Sequence, residues 1–388
     1  MKTKIITSLL LLFAFINAGI AQTPNKKVNE PSDSLKVIYV DKSNGYESKG
    51  YYIINAKTEK KILRITRYDY VDTFKGINSG LISVKIGSKT GFINTKGELV
   101  IPVIYEAYTY FNEGLANVRL NNKSGYIDPK GNTAIPFIYD SSAPFYGGLA
   151  FVKSNEKYGY INKAGKTVIP FIYDEADYFI DKFALVKSNG KYGFINTTGK
   201  VIIPLKYDFA RTFSEELACI KLNGKYGYIN RAGKVVIPII YDDVYPFSKG
   251  VGSVKLNNKE FYIDKIGQKK FDQIFYDYPE KTSIVSLKGK YGLINENNKI
   301  IIPIIYEGVT YFSEGLAGVK LNGKWGYIDN TGKTIIPFKY DYAQKFTDGK
   351  AIVGLDNDRI FIDKTGKNLG VASEISNSAY DYYNEDDY

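Results

Sequence analysis

A short string, Gly-aromatic-Ile-Asn/Asp, returns along the chain at nearly constant spacing, and no other feature restricts the possible folds as strongly. Its first position falls at Gly91, Gly125, Gly159, Gly193, Gly227, Phe261, Gly292, Gly326 and Ile360. Every step is 34 residues except the one of 31 between Phe261 and Gly292. A fixed period of this length marks a repeat array, in which each unit buries its apolar surface only by packing on its neighbours. Residues 50–89 read as a degenerate first unit, matching at Ile54-Asn55, Tyr68-Asp69 and Phe74, so about ten units are expected over 50–369. Terminal units are expected to be atypical because they cap the stack.

Each copy holds three strand-like runs. In one they are Leu217 to Leu222, Tyr226 to Asn230 and Val235 to Tyr241. Asn223-Gly224 lies between the first two, and two adjacent residues that tolerate positive φ predict a type I′ hairpin turn. Asn189-Gly190, Asn322-Gly323, Asn121-Asn122 and Asn257-Asn258 repeat that signal. A second turn ends on Gly in eight copies and on Asn298 in the ninth, which points to a left-handed backbone there. The third run carries Pro at one position in seven copies, from Pro102 to Pro337. Pro has no N–H to give a ladder, so this strand is expected at a sheet edge or interrupted at the Pro. Three residues later comes Tyr followed by Asp or Glu, and six further a Phe, from Phe111 to Phe346, expected in the core.

One copy, Lys324-Trp325-Gly326-Tyr327-Ile328-Asp329 with Gly332-Lys333 and Ile336-Pro337 after it and Gly315-Leu316-Ala317 before it, resembles the WG (Trp-Gly) repeat of bacterial proteins. Most copies put Tyr in the Trp position, as in Tyr158-Gly159 and Tyr192-Gly193, while Thr90 and Ser124 depart further. The resemblance covers about residues 50 to 369. It implies a β-rich tandem repeat and supplies no catalytic residues to carry over.

Lys2 and Lys4 followed by an apolar stretch from Ile5 to Ile16 and by Gly19-Ile20-Ala21 predict a signal peptide over 1–21. The chain is thus expected to be exported to the periplasm, the cell surface or the medium, with no transmembrane segment and no lipoprotein anchor in the mature form. Residues 22–49 read as a polar linker and 370–388 as an acidic, Tyr-rich tail. There is no His, which removes Ser-His-Asp and Cys-His nucleophile systems and His-ligated metals, and the lone Cys219 cannot form an intrachain disulfide. The formal charge of +11 becomes +14 over residues 22–369, once the signal lysines and the five acids of the tail are set aside. A basic array favours anionic partners, although solubility alone also accounts for surface charge.

Two columns are candidate ligand contacts. Lys89, Lys123, Lys157, Lys191, Lys225, Lys259, Lys290 and Lys324 stand two residues before the anchor position and would form a basic stripe able to track an anionic polymer. Solvated lysines beside hairpin turns are the alternative. Tyr126, Tyr160, Tyr228 and Tyr327, with Phe92 and Phe194 at the same position, would offer stacking faces to sugars if exposed, and core packing is their alternative. The acidic column, Glu106, Asp140, Asp174, Asp208, Asp242, Glu307 and Asp341, supplies one carboxylate per unit. A calcium loop needs several oxygens within a dozen residues, and a glycosidase needs one distinguished pair, so local hydrogen bonding is the expected role. No phosphate loop, CxxC pair or nucleic-acid module is present, and no cofactor, metal or catalytic set is expected.

These readings converge on an all-β tandem array of 34-residue antiparallel units, acting as an exported, non-enzymatic scaffold that binds a protein or an acidic glycan. A polysaccharide-active enzyme using carboxylates outside the consensus is the alternative. Propeller blades have four strands and number 4 to 8, so three runs in about ten units favour an open superhelical stack over a closed β-propeller. Small-angle scattering separates the two. A radius of gyration near about 21 Å, the value for about 370 compactly folded residues, would refute the open stack, and a markedly larger one supports it.

Overall fold

A computed structural model describes residues 35–40, 50–74, 76–106, 110–277, 281–356 and 358–372. The expected signal peptide, residues 22–34 and the tail from 373 onward lie outside them. All helical and strand elements among the described residues are β-strands. The chain divides into two compact units, Met1–Phe171 and Ile172–Tyr388. The first holds a three-stranded sheet over 35–65, a five-stranded sheet over 70–105, and four-stranded sheets over 111–139 and 141–173, with the division falling inside the strand Thr167–Tyr173. The second holds six four-stranded sheets, over 175–207, 209–241, 243–271, 273–306, 308–340 and 342–371.

The repeat length, the all-β class and the antiparallel pairing agree with the sequence reading, and four details differ. Leu35–Val40 is a strand paired with Gly50–Asn55, so the expected linker contributes to the first sheet and the array begins before residue 50. Residues 50–89 belong to two sheets, and Phe74 is 86% exposed rather than a member of the Phe core column. Gly370 and Val371, assigned to the tail, lie in the last strand, Asn368–Val371. Each regular unit also has four strands, not three, because a two-residue strand follows the acidic position. A pair such as Phe209–Ala210, bonded to Lys221 and Ile220, is too short to show any periodicity. The strand count that favoured the open stack is therefore corrected.

The sheet over 209–241 shows how the repeat builds itself. Leu217–Leu222 and Lys225–Asn230 join through Asn223 and Gly224 at φ 51 and 81, the expected type I′ turn. At the next turn Asn230 Oδ1 accepts the N–H groups of Ala232 at 3.1 Å and Lys234 at 3.0 Å, and Gly233 takes φ 75. This explains the Asn/Asp that ends every motif: its side chain closes the turn.

The motif glycine answers a different constraint. Tyr226 pairs with Tyr241 and Tyr228 with Ile237, so four residues of the last strand, Val235–Tyr241, bulge over two of the third. The bulge contains Pro238 and brings backbone against backbone. A Cβ on Gly227 would stand 2.7 Å from the Pro238 carbonyl oxygen, and in all seven Gly copies the nearest backbone atom would lie 2.6–2.8 Å away. The strand is thus both an edge and interrupted at the Pro, each a situation in which the missing N–H is tolerated. Where Phe261 and Ile360 replace the glycine, the facing strands Lys269–Phe271 and Asn368–Val371 contain no Pro, and neither position faces a bulge. The short 31-residue step has the same cause: Asp242 is nine positions after Gly233 but Asp272 only five after Gly267, and one extra residue before Gly292 brings the net loss to three.

Both faces of the sheet over 209–241 are covered. Leu217, Cys219, Tyr228, Ile237 and Tyr241 pack with Val244, Phe247, Val254 and Ile263 of the following sheet. The other face, Ala218, Ile220 and Ile229, packs with Phe194, Ile203 and Tyr207 of the preceding one. The Phe residues reach from the connector of one sheet to the aromatic of the sheet before, as in Tyr228–Phe247, with centroids 5.0 Å apart, and Tyr327–Phe346, at 4.9 Å. Gly227→Ala is expected to lower stability by about 1–3 kcal/mol through overpacking. Gly224→Ala, which meets open space at φ +81, is expected to cost about 1 kcal/mol from backbone strain alone. Urea midpoints of the two variants test this, and a Gly227→Ala variant as stable as the parent would refute the close-approach explanation.

Candidate binding face

Two ends of each sheet carry charge, and the hairpin end holds the lysine column. Its lysines are engaged by the acidic column 17 residues on. Lys123–Asp140, Lys191–Asp208 and Lys225–Asp242 approach to 2.6 Å, Lys89–Glu106 to 3.3 Å and Lys290–Glu307 to 3.4 Å, and Lys324 pairs with Asp341. Lys157 begins the equivalent strand, Lys157–Asn162, and Lys259 the strand Lys259–Ile263, whose copy has Tyr276 instead of an acid at that distance. The carboxylates face two ways. Asp208 also accepts the N–H of Asn223 at 2.8 Å, and Glu307 that of Gly323 at 2.8 Å, both in the hairpin turn of the following sheet. The Lys191, Lys123 and Lys225 ammonium groups, together with these turn amides, hold Asp208, Asp140 and Asp242 below the usual carboxylate range. Asp69 plays the same part for Gly87, at 2.6 Å, in the atypical sheet over 70–105. The expected basic stripe is thus largely a row of ion pairs linking consecutive sheets.

The tyrosines proposed as stacking faces are corrected to core residues. Tyr126, Tyr160, Tyr228 and Tyr327 are each 0–1% exposed, as are Phe194 at 1% and Phe92 at 2%. Three of the four hydroxyls donate to a carbonyl in the next connector: Tyr126 to Ala143 and Tyr327 to Gln344 at 2.7 Å, and Tyr228 to Tyr245 at 2.8 Å. Burial pushes the Tyr228 and Tyr327 phenols well above their ordinary values. Cys219 is buried too, its thiol pushed up to about 12, so it is no nucleophile at neutral pH.

The opposite end holds a second ladder that sequence reading missed. Glu113, Glu215 and Glu314, all in the left-handed region, pair with Lys163 at 3.2 Å, Lys265 at 3.1 Å and Lys364 at 2.9 Å. Each also accepts an amide of the next connector, such as Gly250 N–H at 3.0 Å for Glu215. Asp181 and Arg231 keep the same 50-residue offset, and Arg231 lies over the rings of Phe183 and Phe213 at 5.5 and 5.2 Å. That constant offset was the available signal. Among the described residues no cluster of three or more Cys, Asp and Glu side chains is placed to hold a metal ion.

The sequence matches the WG containing repeat seven times, over residues 91–123, 125–158, 158–192, 192–226, 226–259, 291–325 and 325–357, together more than half of the chain. The chain belongs to the WG-repeat family. No curated protein matches it. Among solved structures it is similar to a eukaryotic initiation factor at 12% identity and TM-score 0.37, covering 76% of this chain and 96% of that one. It is also similar to PorZ, a bacterial surface component of the type-IX secretion system of Porphyromonas gingivalis, at 9% identity and TM-score 0.27, covering 81% and 53%. A third is the extracellular domain of the one-component system BT4673 of B. thetaiotaomicron, at 13% identity and TM-score 0.20, covering 82% and 63%. In the WG repeat itself the room for Trp325 comes from the residue two strands away, across Lys320. A Cβ on Gly308 would lie 2.9 Å from the Trp325 ring, whereas Phe209 fills the equivalent place beside Tyr226, with centroids 6.4 Å apart. No helix among the described residues is long and apolar enough to cross a membrane.

A carboxylate held below its unfolded value contributes stability that is present above that value, about 3.9 for Asp, and is lost as the pH falls through the lower folded one. Thermal stability is therefore expected to fall from about pH 4 downward. In an Asp208→Asn/Asp242→Asn variant the midpoint should be lower at pH 7 and less sensitive to acid. An unchanged pH 7 midpoint would show that the clamps contribute nothing.

Proposed function

We propose that this WG-repeat chain is an exported, non-enzymatic scaffold that binds a protein or an acidic glycan through its repeated surface. The observation that carries the reading is the repetition itself: sheets of one design present the same residue types at the same positions on a basic background of +14 over 22–369. Repeated weak contacts give avidity to an extended partner. Catalysis needs unlike groups converging on one point, and the ionisable columns are instead spent on identical links between sheets. Export rests on the sequence of residues 1–21, with its basic start, apolar stretch and small-residue cleavage site.

The test is capture of partners from the native envelope by the mature protein at low and at 1 M salt, alongside glycan-turnover assays. Retention of specific partners without turnover is expected. Turnover abolished by replacing one particular acid would replace the scaffold reading with the enzyme. Loss of the captured partners at 1 M salt, where the screening length is about 3 Å, would mark an anionic partner.

A further inference from the structure

A lysine column absent from the candidates above, in which Lys333 and Lys367 lie within electrostatic reach of their own turn carboxylates Asp329 and Asp363, forms no ion pair among the described residues. It follows the turn glycine or asparagine, and in the second compact unit comprises Lys200, Lys234, Lys299, Lys333 and Lys367, all exposed. The backbone N–H of each is fixed by the Asn or Asp side chain of its turn, at 2.9 Å for Lys200, 3.0 Å for Lys234, Lys333 and Lys367, and 3.1 Å for Lys299. The turn is seated on the sheet before it. A Cβ on Gly233 would touch Ile203 at 3.4 Å, and Gly332 and Gly366 stand in the same relation to Ile302 and Ile336. The lysines are thereby stepped from sheet to sheet, with Gln268 interrupting the row, beside fourth strands that expose Val201, Val235, Ile240, Ile300 and Ile305 at 42–49% together with the polar Lys206, Thr334 and Lys339.

We propose that this turn lysine row, rather than the ion-paired hairpin row, is the contact surface for a linear acidic polysaccharide. The proposal rests on the binding reading above and narrows its partner. Charge selects a polyanion, because Lys200, Lys234 and Lys299 follow neutral Asn turns and form no ion pair among the described residues, while the hairpin lysines already face Asp or Glu. The exposed aliphatic side chains lower the local polarity and strengthen each contact. A peptide adding as a strand is disfavoured. Pro204, Pro238, Pro303 and Pro337 remove a donor within each exposed edge strand, and the bulge breaks its register. The sheet over 243–271 has Gln268 at this position, so five of the six sheets carry the charge, which suits a long polymer whose own charges recur.

The experiment measures binding of the full mature protein to polygalacturonate, with neutral dextran and poly-glutamate as comparisons. Two variants are compared, Lys200→Gln/Lys234→Gln/Lys333→Gln and Lys191→Gln/Lys225→Gln/Lys324→Gln, with thermal unfolding followed to show that both are folded. The first is expected to weaken polygalacturonate binding by about tenfold or more, as three exposed charge contacts together would. The second should change it less than about threefold while lowering the unfolding midpoint. Stronger loss in the hairpin variant, equal loss in both, or no binding by the parent protein overturns the proposal. Poly-glutamate bound as tightly with the same lysine dependence overturns the polysaccharide assignment. The scaffold reading fails separately, if envelope capture retains no partner at either salt.

Discussion

A four-stranded sheet of 34 residues cannot keep either of its faces from water, and the rest of the structure follows from that limit. Buried residues on the second strand run without alternation, Leu217-Ala218-Cys219-Ile220, because one face meets the sheet before and the other the sheet after. The connectors are drawn into the same task. Phe247 fills the space over Tyr228, and the tyrosine hydroxyl reaches the Tyr245 carbonyl, so one unit supplies the acceptor that the other needs for its buried donor.

Within each sheet the Gly and Pro columns are one device seen twice. The bulge that lets Val235–Tyr241 leave the sheet places Pro238 over Gly227, and only a residue without Cβ fits beneath it. The two copies without the anchor glycine also lack the proline and the bulge, which is internal evidence that the two residues are coupled through backbone contact. Trp325 shows the same logic with side chains: it has room because Gly308 stands beside it.

Charge is arranged by the same economy. Acid and base at the two ends of the sheets join neighbours, with offsets of 17 and 50 residues. Each carboxylate accepts both an ammonium group and a turn amide, which orders the hairpin of the following sheet. Being half-exposed, such pairs are worth little singly. What they fix, repeated along the chain, is the register of one sheet against the next.

The sequence alone determined the period, the all-β class, the type I′ turns, the left-handed turn glycine and the edge position of the Pro strand. All of these are local: backbone conformation at Asn223-Gly224 or Pro238 depends on a few neighbouring residues. It also identified most of the Phe column as core. Only the tertiary structure decided which columns are free. Lys225 and Lys234 are equivalent as sequence, both basic beside a turn, yet one meets Asp242 and the other forms no ion pair among the described residues. Tyr228 carries no mark of its complete burial, since a tyrosine suits core and surface alike until its neighbours are known. The fourth strand was invisible because two residues such as Phe209–Ala210 cannot display a period, and pairing with Leu217–Leu222 alone makes them a strand. Long-range contact assigns such residues their roles, and a repeat pattern, being identical in every copy, records the position without naming the neighbour.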